Sequence, residues 1–191
     1  MFANPNSDGL YPVIQTSLNG RDNAIDLGTS GVRFKDLYLS GGVYLGGTGS
    51  ANKLDSYEEG TYEPTFTGGT SGSLTPNASY KTLSYTKIGR LVFVGGRIRP
   101  LTGTIVGTLS ISLPFTSASM TEEADYSSGS VLIRDLNVPT GAYDANVYVP
   151  QNSSTFNIYI SIDNGVWHDV DGNDSPQSAY YQFGFSYLTD S

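Results

Sequence analysis

The chain has no cysteine. Disulfide staples and thiolate metal sites are therefore excluded, and stability has to come from packing and assembly. It has one histidine, His168, so a His-based metal cluster is excluded as well. Basic residues are scarce: ten Lys and Arg against eighteen Asp and Glu, a net charge of −8. That balance argues against a nucleic-acid partner, whose phosphates call for clustered Lys and Arg. No apolar run approaches the roughly 18–20 residues of a membrane helix, so membrane insertion is not expected. The opening MFANPNSDGLYPVIQTS has neither a basic nor an apolar leader region and is not read as a secretion signal. Sustained i, i+3, i+4, i+7 apolar spacing is missing too, which removes long amphipathic helices.

What remains is rich in glycine and tyrosine, with 23 and 14 residues respectively. Strands and tight turns use both, so the expected class is all-β. Three regions separate. Residues 1–22 are polar, broken by Pro5, Gly9, Pro12 and Gly20, and read as an extended arm with one short strand at Val13 to Thr16. Phe2, Leu10, Tyr11, Val13 and Ile14 give it enough apolar surface to dock into a larger body.

Residues 23–60 hold three short apolar bursts, each closed by glycine: Ile25 to Gly28, Leu37 to Gly42, and Val43 to Gly47. Val32 and Phe34 alternate with Arg33 and Lys35, Leu37 and Leu39 flank Tyr38, and Val43 and Leu45 flank Tyr44. This is a period-two pattern with one side facing inward. Gly41-Gly42 and Gly46-Gly47 supply positive φ for reversals. Bursts this short cannot cover their own apolar face and call for other copies of the chain. Val32, Phe34, Leu37, Leu39, Val43 and Leu45 are the candidate contacts of that stalk.

Residues 61–191 read as an antiparallel β domain, with a jelly-roll-like sandwich as the expected topology. The expected strands are Tyr62–Phe66, Tyr80–Ile88, Leu91–Arg99, Thr104–Leu113, Ser130–Leu136, Ala145–Val149, Thr155–Ile162 and Tyr180–Leu188. Gly89-Arg90 predicts a tight hairpin, and Gly95-Gly96 a bulge. In AYYQFGFSYL, residues 179–188, the rings of Tyr181, Phe183, Phe185 and Tyr187 share one face and are expected in the core.

Catalytic chemistry finds little footing. No G-x-S-x-G elbow accompanies His168. The neighbouring carboxylates Glu58-Glu59 and Glu122-Glu123 point to opposite sides of a strand rather than across a cleft. No enzyme activity and no cofactor are expected. The run from Asp169 to Asp174 carries oxygens that suit calcium, but lacks EF-hand spacing; an Asp-Gly turn accounts for it more simply. Trp167, His168, Asp171 and Asn173 sit together in NGVWHDVDGND, residues 164–174, where an indole among polar groups suits a glycan. They are the candidate receptor contacts.

The block DLGTSGVRFKDLYLSG, from Asp26 through Arg33, Phe34, Lys35, Asp36, Tyr38 and Ser40 to Gly41, resembles a trimeric stalk segment of tailed-bacteriophage virion fibre proteins. SYTKIGRLVFVGGRI at residues 84–98 is similar to a hairpin of their C-terminal knobs. The resemblance implies a homotrimer with an N-terminal anchoring arm (1–22), a β stalk (23–60) and a β-sandwich knob (61–191). It implies a virion location after assembly in the host cytoplasm, with another virion protein, of tail or capsid, holding the arm. It further implies a tail fibre that attaches to a host-surface glycan, or a head fibre or capsid decoration protein. The long β-helix and self-cleaving chaperone of larger members have no counterpart here, so a small glycan hydrolase is the weaker reading and trimerisation is expected without a helper.

Overall fold

The computed structural model describes residues 26–119, 126–163 and 165–190, together with the backbone of residues 2–3 and 10–11. The chain is all-β, and no α-helix occurs among the described residues. It divides into two compact units, residues 1–41 and 42–191.

In the first unit, β1 (Phe2–Ala3) pairs antiparallel with β2 (Leu10–Tyr11). The arm strand expected at Val13 to Thr16 lies outside the described residues. From residue 26 to 41 no strand forms. A single turn is closed there by the Val32 and Thr29 backbone groups and the Thr29 hydroxyl. The period-two segment around Val32–Leu39 thus has no hydrogen-bonded ladder within one chain.

The second unit opens with a small ladder, β3 (Val43–Tyr44) against β4 (Lys53–Leu54). The glycine expectation changes here. Gly46 takes a positive φ of 76°, but Gly41, Gly42 and Gly47 do not. Gly42 is needed for another reason: a Cβ there would lie 2.7 Å from the Leu54 carbonyl oxygen and from Asp55 Cβ.

The remaining strands are β5 (Tyr57–Tyr62), β6 (Phe66–Gly68), β7 (Ser71–Pro76), β8 (Leu83–Ile88), β9 (Leu91–Ile98), β10 (Pro100–Val106), β11 (Leu109–Ser112), β12 (Ser127–Arg134), β13 (Ala142–Val149), β14 (Thr155–Ile162), β15 (His168–Asp169) and β16 (Tyr180–Leu188). All pair antiparallel in one curled sheet of order β10-β7-β6-β11-β14-β13-β12-β16-β9-β8-β5, with β15 added beside β14. The expectation of two separate sheets is modified, because one ladder runs through both flanks. In the ladder the flanks are joined by two pairs, Ile111↔Phe156 and Ser112↔Thr155. Beyond that point β11 and β14 diverge, and residues 168–171 fill the gap. Leu109 N–H donates to the Val170 carbonyl at 2.7 Å, and Val170 N–H donates to the Ile158 carbonyl at 3.1 Å.

The chain crosses between flanks over short corners. Pro64 breaks the strand expected at Tyr62–Phe66, sending β5 to one flank and β6 to the other. Arg99 alone separates β9 from β10, with a register shift between Pro100 and Thr102. Gly107, at φ 81°, ends β10 and divides the strand expected at Thr104–Leu113. The Gly89-Arg90 hairpin forms with Ile88↔Leu91 as its last pair. At Gly95-Gly96 the predicted bulge is absent: both glycines stay in register with β8 and β16.

The curl closes on a ring core. Val92, Val94 and Ile98, Val147 and Val149, and Phe156, Ile158 and Ile160 alternate inward from β9, β13 and β14. Tyr181, Phe183, Phe185 and Tyr187 of β16 are all buried. Phe156 meets Phe183 at 5.2 Å and Phe185 at 4.9 Å between centroids, although two strands separate β14 from β16 in the ladder. Tyrosine hydroxyls tie the layers together: Tyr62 donates to the Ser112 carbonyl at 3.2 Å and Tyr187 to the Phe115 carbonyl at 2.8 Å.

Desolvation raises the phenols of Tyr62, Tyr181 and Tyr187 well above their ordinary value. In the unfolded chain they ionise near pH 10. Their stabilising contribution is therefore complete below about pH 10. It falls as pH rises towards the folded-state values, because only the unfolded state then sheds protons, by about 1.4 kcal/mol per tyrosine per pH unit. Tm should hold up to about pH 9.5 and drop steeply by about pH 11.5, and less steeply in Tyr181→Phe. A wild-type Tm that stays flat through this window contradicts the burial of these rings.

Candidate functional site: an aromatic groove on the outer face

The strands that send Val147, Phe156 and Ile158 into the core turn the alternate residues outward. Asn146 and Tyr148 on β13, and Asn157, Tyr159 and Ser161 on β14, take the outer face. Register aligns them. Ser128 sits opposite Tyr148, Asn146 opposite Tyr159, and Tyr159 opposite Asp169. Directly opposed residues of an antiparallel pair share a face, and diagonal neighbours remain within reach of aromatic rings.

The result is a continuous row of four rings. Tyr126 stacks on Tyr148 at 5.5 Å and 24°. Tyr148 meets Tyr159 edge-on at 5.2 Å, and Tyr159 meets Trp167 at 5.7 Å and 56°. The row crosses four strands, about 14 Å at the usual strand spacing. Beside it lies a groove of about 370 Å³ lined by Ser128, Asn146, Tyr148, Tyr159, Ser161 and Trp167. Asn146 Nδ2 donates to the Asp144 carboxylate at 2.7 Å, which orients the amide. Burial, then the Asp169 charge, raises the Tyr159 phenol above its ordinary value. It stays protonated at neutral pH and can donate. Flat apolar rings flanked by hydroxyls and an amide suit the faces and edges of a sugar.

Of the four candidate contacts, the structure brings only Trp167 into this groove. Its indole is 69 % exposed, so it does not plug the core. The other three build the turn that follows it. His168 Nε2 lies 2.8 and 3.0 Å from the two oxygens of Asp174. Asp174 is buried and also accepts from the Asp171 N–H at 2.9 Å. Asp171 caps the short 3₁₀ turn Gly172–Asp174, accepting from the Asn173 backbone N–H at 2.7 Å and from Asn173 Nδ2 at 3.2 Å. The Thr108 hydroxyl donates to Asp169 at 2.9 Å. The carboxylates considered for calcium are thus engaged in a reciprocal capping box and its neighbours. No grouping of three or more metal-ligating His, Asp or Glu side chains occurs among the described residues.

Sequence reasoning missed Tyr126, Tyr148 and Tyr159. The outward alternation of Tyr148 with Val147 and Val149, and of Tyr159 with Ile158 and Ile160, was the available signal. Which outward tyrosines become neighbours depends on strand order, which is set by non-local pairing. Among the carboxylate pairs, Glu58 accepts from the Tyr85 hydroxyl and Glu59 from the Tyr57 hydroxyl. Glu122-Glu123 lies outside the described residues.

No protein-family model, curated protein or solved structure matches the chain.

The turn after Trp167 rests on Asp174. Asp174→Ala strips acceptors from His168 and from the Asp171 N–H, at a cost of about 1–3 kcal/mol. Trp167 is the only tryptophan, so its fluorescence anisotropy reports the loosening directly and should fall. Unchanged Tm and anisotropy contradict this role.

Proposed function

We propose that the chain is a structural protein of a bacteriophage virion: a homotrimeric tail fibre that attaches to a host-surface glycan rather than transforming it. The observation that carries the reading is the run of exposed apolar side chains in the glycine-punctuated segment. Val32, Phe34, Leu37 and Leu39 are 74, 67, 65 and 53 % exposed, Tyr38 is 90 % exposed, and Leu45 is 57 % exposed. Contiguous exposed apolar residues mark an association surface, and the part of this stretch from residue 26 to 41 has no ladder of its own to lose on joining other chains. Trimerisation supplies both missing elements, a covering for the apolar side and strand partners for the backbone.

In this reading residues 1–22 anchor the fibre to another virion protein, the stalk drawn from sequence at residues 23–60 twines only up to residue 56, and the knob begins with β5 at Tyr57, which pairs with β8. The two flanks of the curled sheet serve as the layers of a sandwich-like knob. The row from Tyr126 to Trp167 is its adhesive face. One shallow groove binds a sugar weakly, and three copies engaging together raise avidity without better single contacts.

The test is adsorption. Trp167→Ala and Tyr159→Ala should each weaken binding of the purified protein to host cells by tenfold or more while the oligomer keeps its mass. Full adsorption by both variants would overturn the assignment of this face.

A further inference from the structure

A second site stands on the outer surface, away from the aromatic row. The two strands that flank β16 bring three arginines around one of its tyrosines. Arg97 of β9, Arg99 at the β9–β10 corner and Arg134 of β12 place their guanidinium carbons 5.2, 4.6 and 4.5 Å from the centroid of the Tyr180 ring. Register produces this. Gln182 sits opposite both Arg97 and Leu132, and Tyr180 opposite Arg134. Tyr80 braces the same ring edge-on at 5.4 Å, and Arg99 Nη1 donates to the Tyr180 hydroxyl at 3.1 Å. A cavity of about 210 Å³ opens here, lined by Arg97, Leu132, Ile133, Arg134, Tyr180 and Gln182.

The charge arrangement is unusual for this chain. Three of its ten basic residues converge although the net charge is −8. Because all three lie so near one ring centre, any two are closer together than about 10 Å, the screening length at 0.1 M salt. Cation–π attraction to one ring offsets only part of their repulsion. Among the described residues the carboxylate bonded to the cluster is Asp135, 3.0 Å from Arg134 Nε. Among the described residues no ion pair engages Arg97 or Arg99, and Arg99 Nε is buried without a hydrogen-bond partner. A structural cluster would be expected to recruit carboxylates in an acidic protein. This one leaves guanidinium donors facing a cavity beside an amide and a phenol, the donor set that recognises oxyanions.

We propose that Arg97, Arg134, Tyr180 and Gln182, which line this cavity, with Arg99 bonded to the Tyr180 hydroxyl, form a binding site for an oxyanion, the carboxylate of an acidic sugar or a phosphate ester. This site stands independently of the attachment reading. If both hold, the two sites share one strand. Ser128 of the groove and Arg134 lie on the same outward side of β12, about 20 Å apart along it, so a charged polysaccharide lying along β12 meets both.

The test uses the full chain and three probes: inorganic phosphate, glucuronate and neutral methyl glucoside, followed by the Nε–H signals of the arginines in ¹⁵N-resolved spectra. Phosphate or glucuronate should shift the signals of Arg97, Arg99 and Arg134 saturably, more weakly at high salt, and methyl glucoside should not. A response to phosphate alone assigns a phosphoryl ligand, and one to glucuronate alone a carboxylate. The double variant Arg97→Gln/Arg134→Gln, both positions being exposed, should lose at least tenfold in anion affinity. It should melt at the same temperature or higher, because like charges have been removed. Absence of a saturable shift with either anion, or unchanged affinity in the variant, overturns the site. A lowered Tm in a variant whose parent shows no anion response identifies the cluster as structural and also overturns it.

Discussion

The contact of Phe156 with Phe183 and Phe185 is the constraint on which the β body depends. It joins β14 to β16 across the interior, although the hydrogen-bonded path between them runs through β13 and β12. A sheet can make that contact only by curling. Curling in turn forces the flanks apart past the two-residue junction of β11 and β14. The segment from His168 to Asp171 then satisfies the backbone groups exposed by that divergence. The seat of Trp167 is therefore a consequence of core closure. A Trp on an unsupported loop would swing; this one leads directly into β15 and is held against Tyr159.

Once the inner face is filled with rings, the alternate residues of β12, β13, β14 and β16 turn outward. Two different chemistries use them. Around Trp167 the outward residues are aromatic and neutral. Around Tyr180 they are cationic. Both depend on strand neighbours far apart in the chain, and the carboxylates of the acidic loop bond within the fold, Asp169 with Thr108 and Asp174 with His168.

Much of the fold could be read from letters alone. The strands Thr155–Ile162 and Tyr180–Leu188 have the predicted bounds, because strict alternation of large apolar residues leaves no second register. The Gly89-Arg90 hairpin was equally legible from its turn chemistry. Boundaries failed where one apolar run served two flanks, at Pro64 and Gly107, and Ser71–Pro76 was missed because Ser, Gly and Thr dominate it. Gly95-Gly96 misled: glycine there accompanies an unbroken ladder. Of the site, only Trp167 was visible in sequence, since its polar neighbourhood is local. The tyrosine row and the arginine cluster are properties of strand order. Asn173 and Asp171 looked like presented ligands and are instead the frame of a turn.

The segment from Val32 to Leu45 is the counterpart of the core. The β body buries its apolar alternation, whereas this segment displays it. The measurement that tests the proposed trimer most directly is the solution mass of the chain by sedimentation equilibrium, beside the same protein lacking residues 23–55, a deletion that leaves β5 in place on β8. The account predicts about three chains for the first and a lower mass for the second. A full-length protein that sediments as one chain at all concentrations would contradict it.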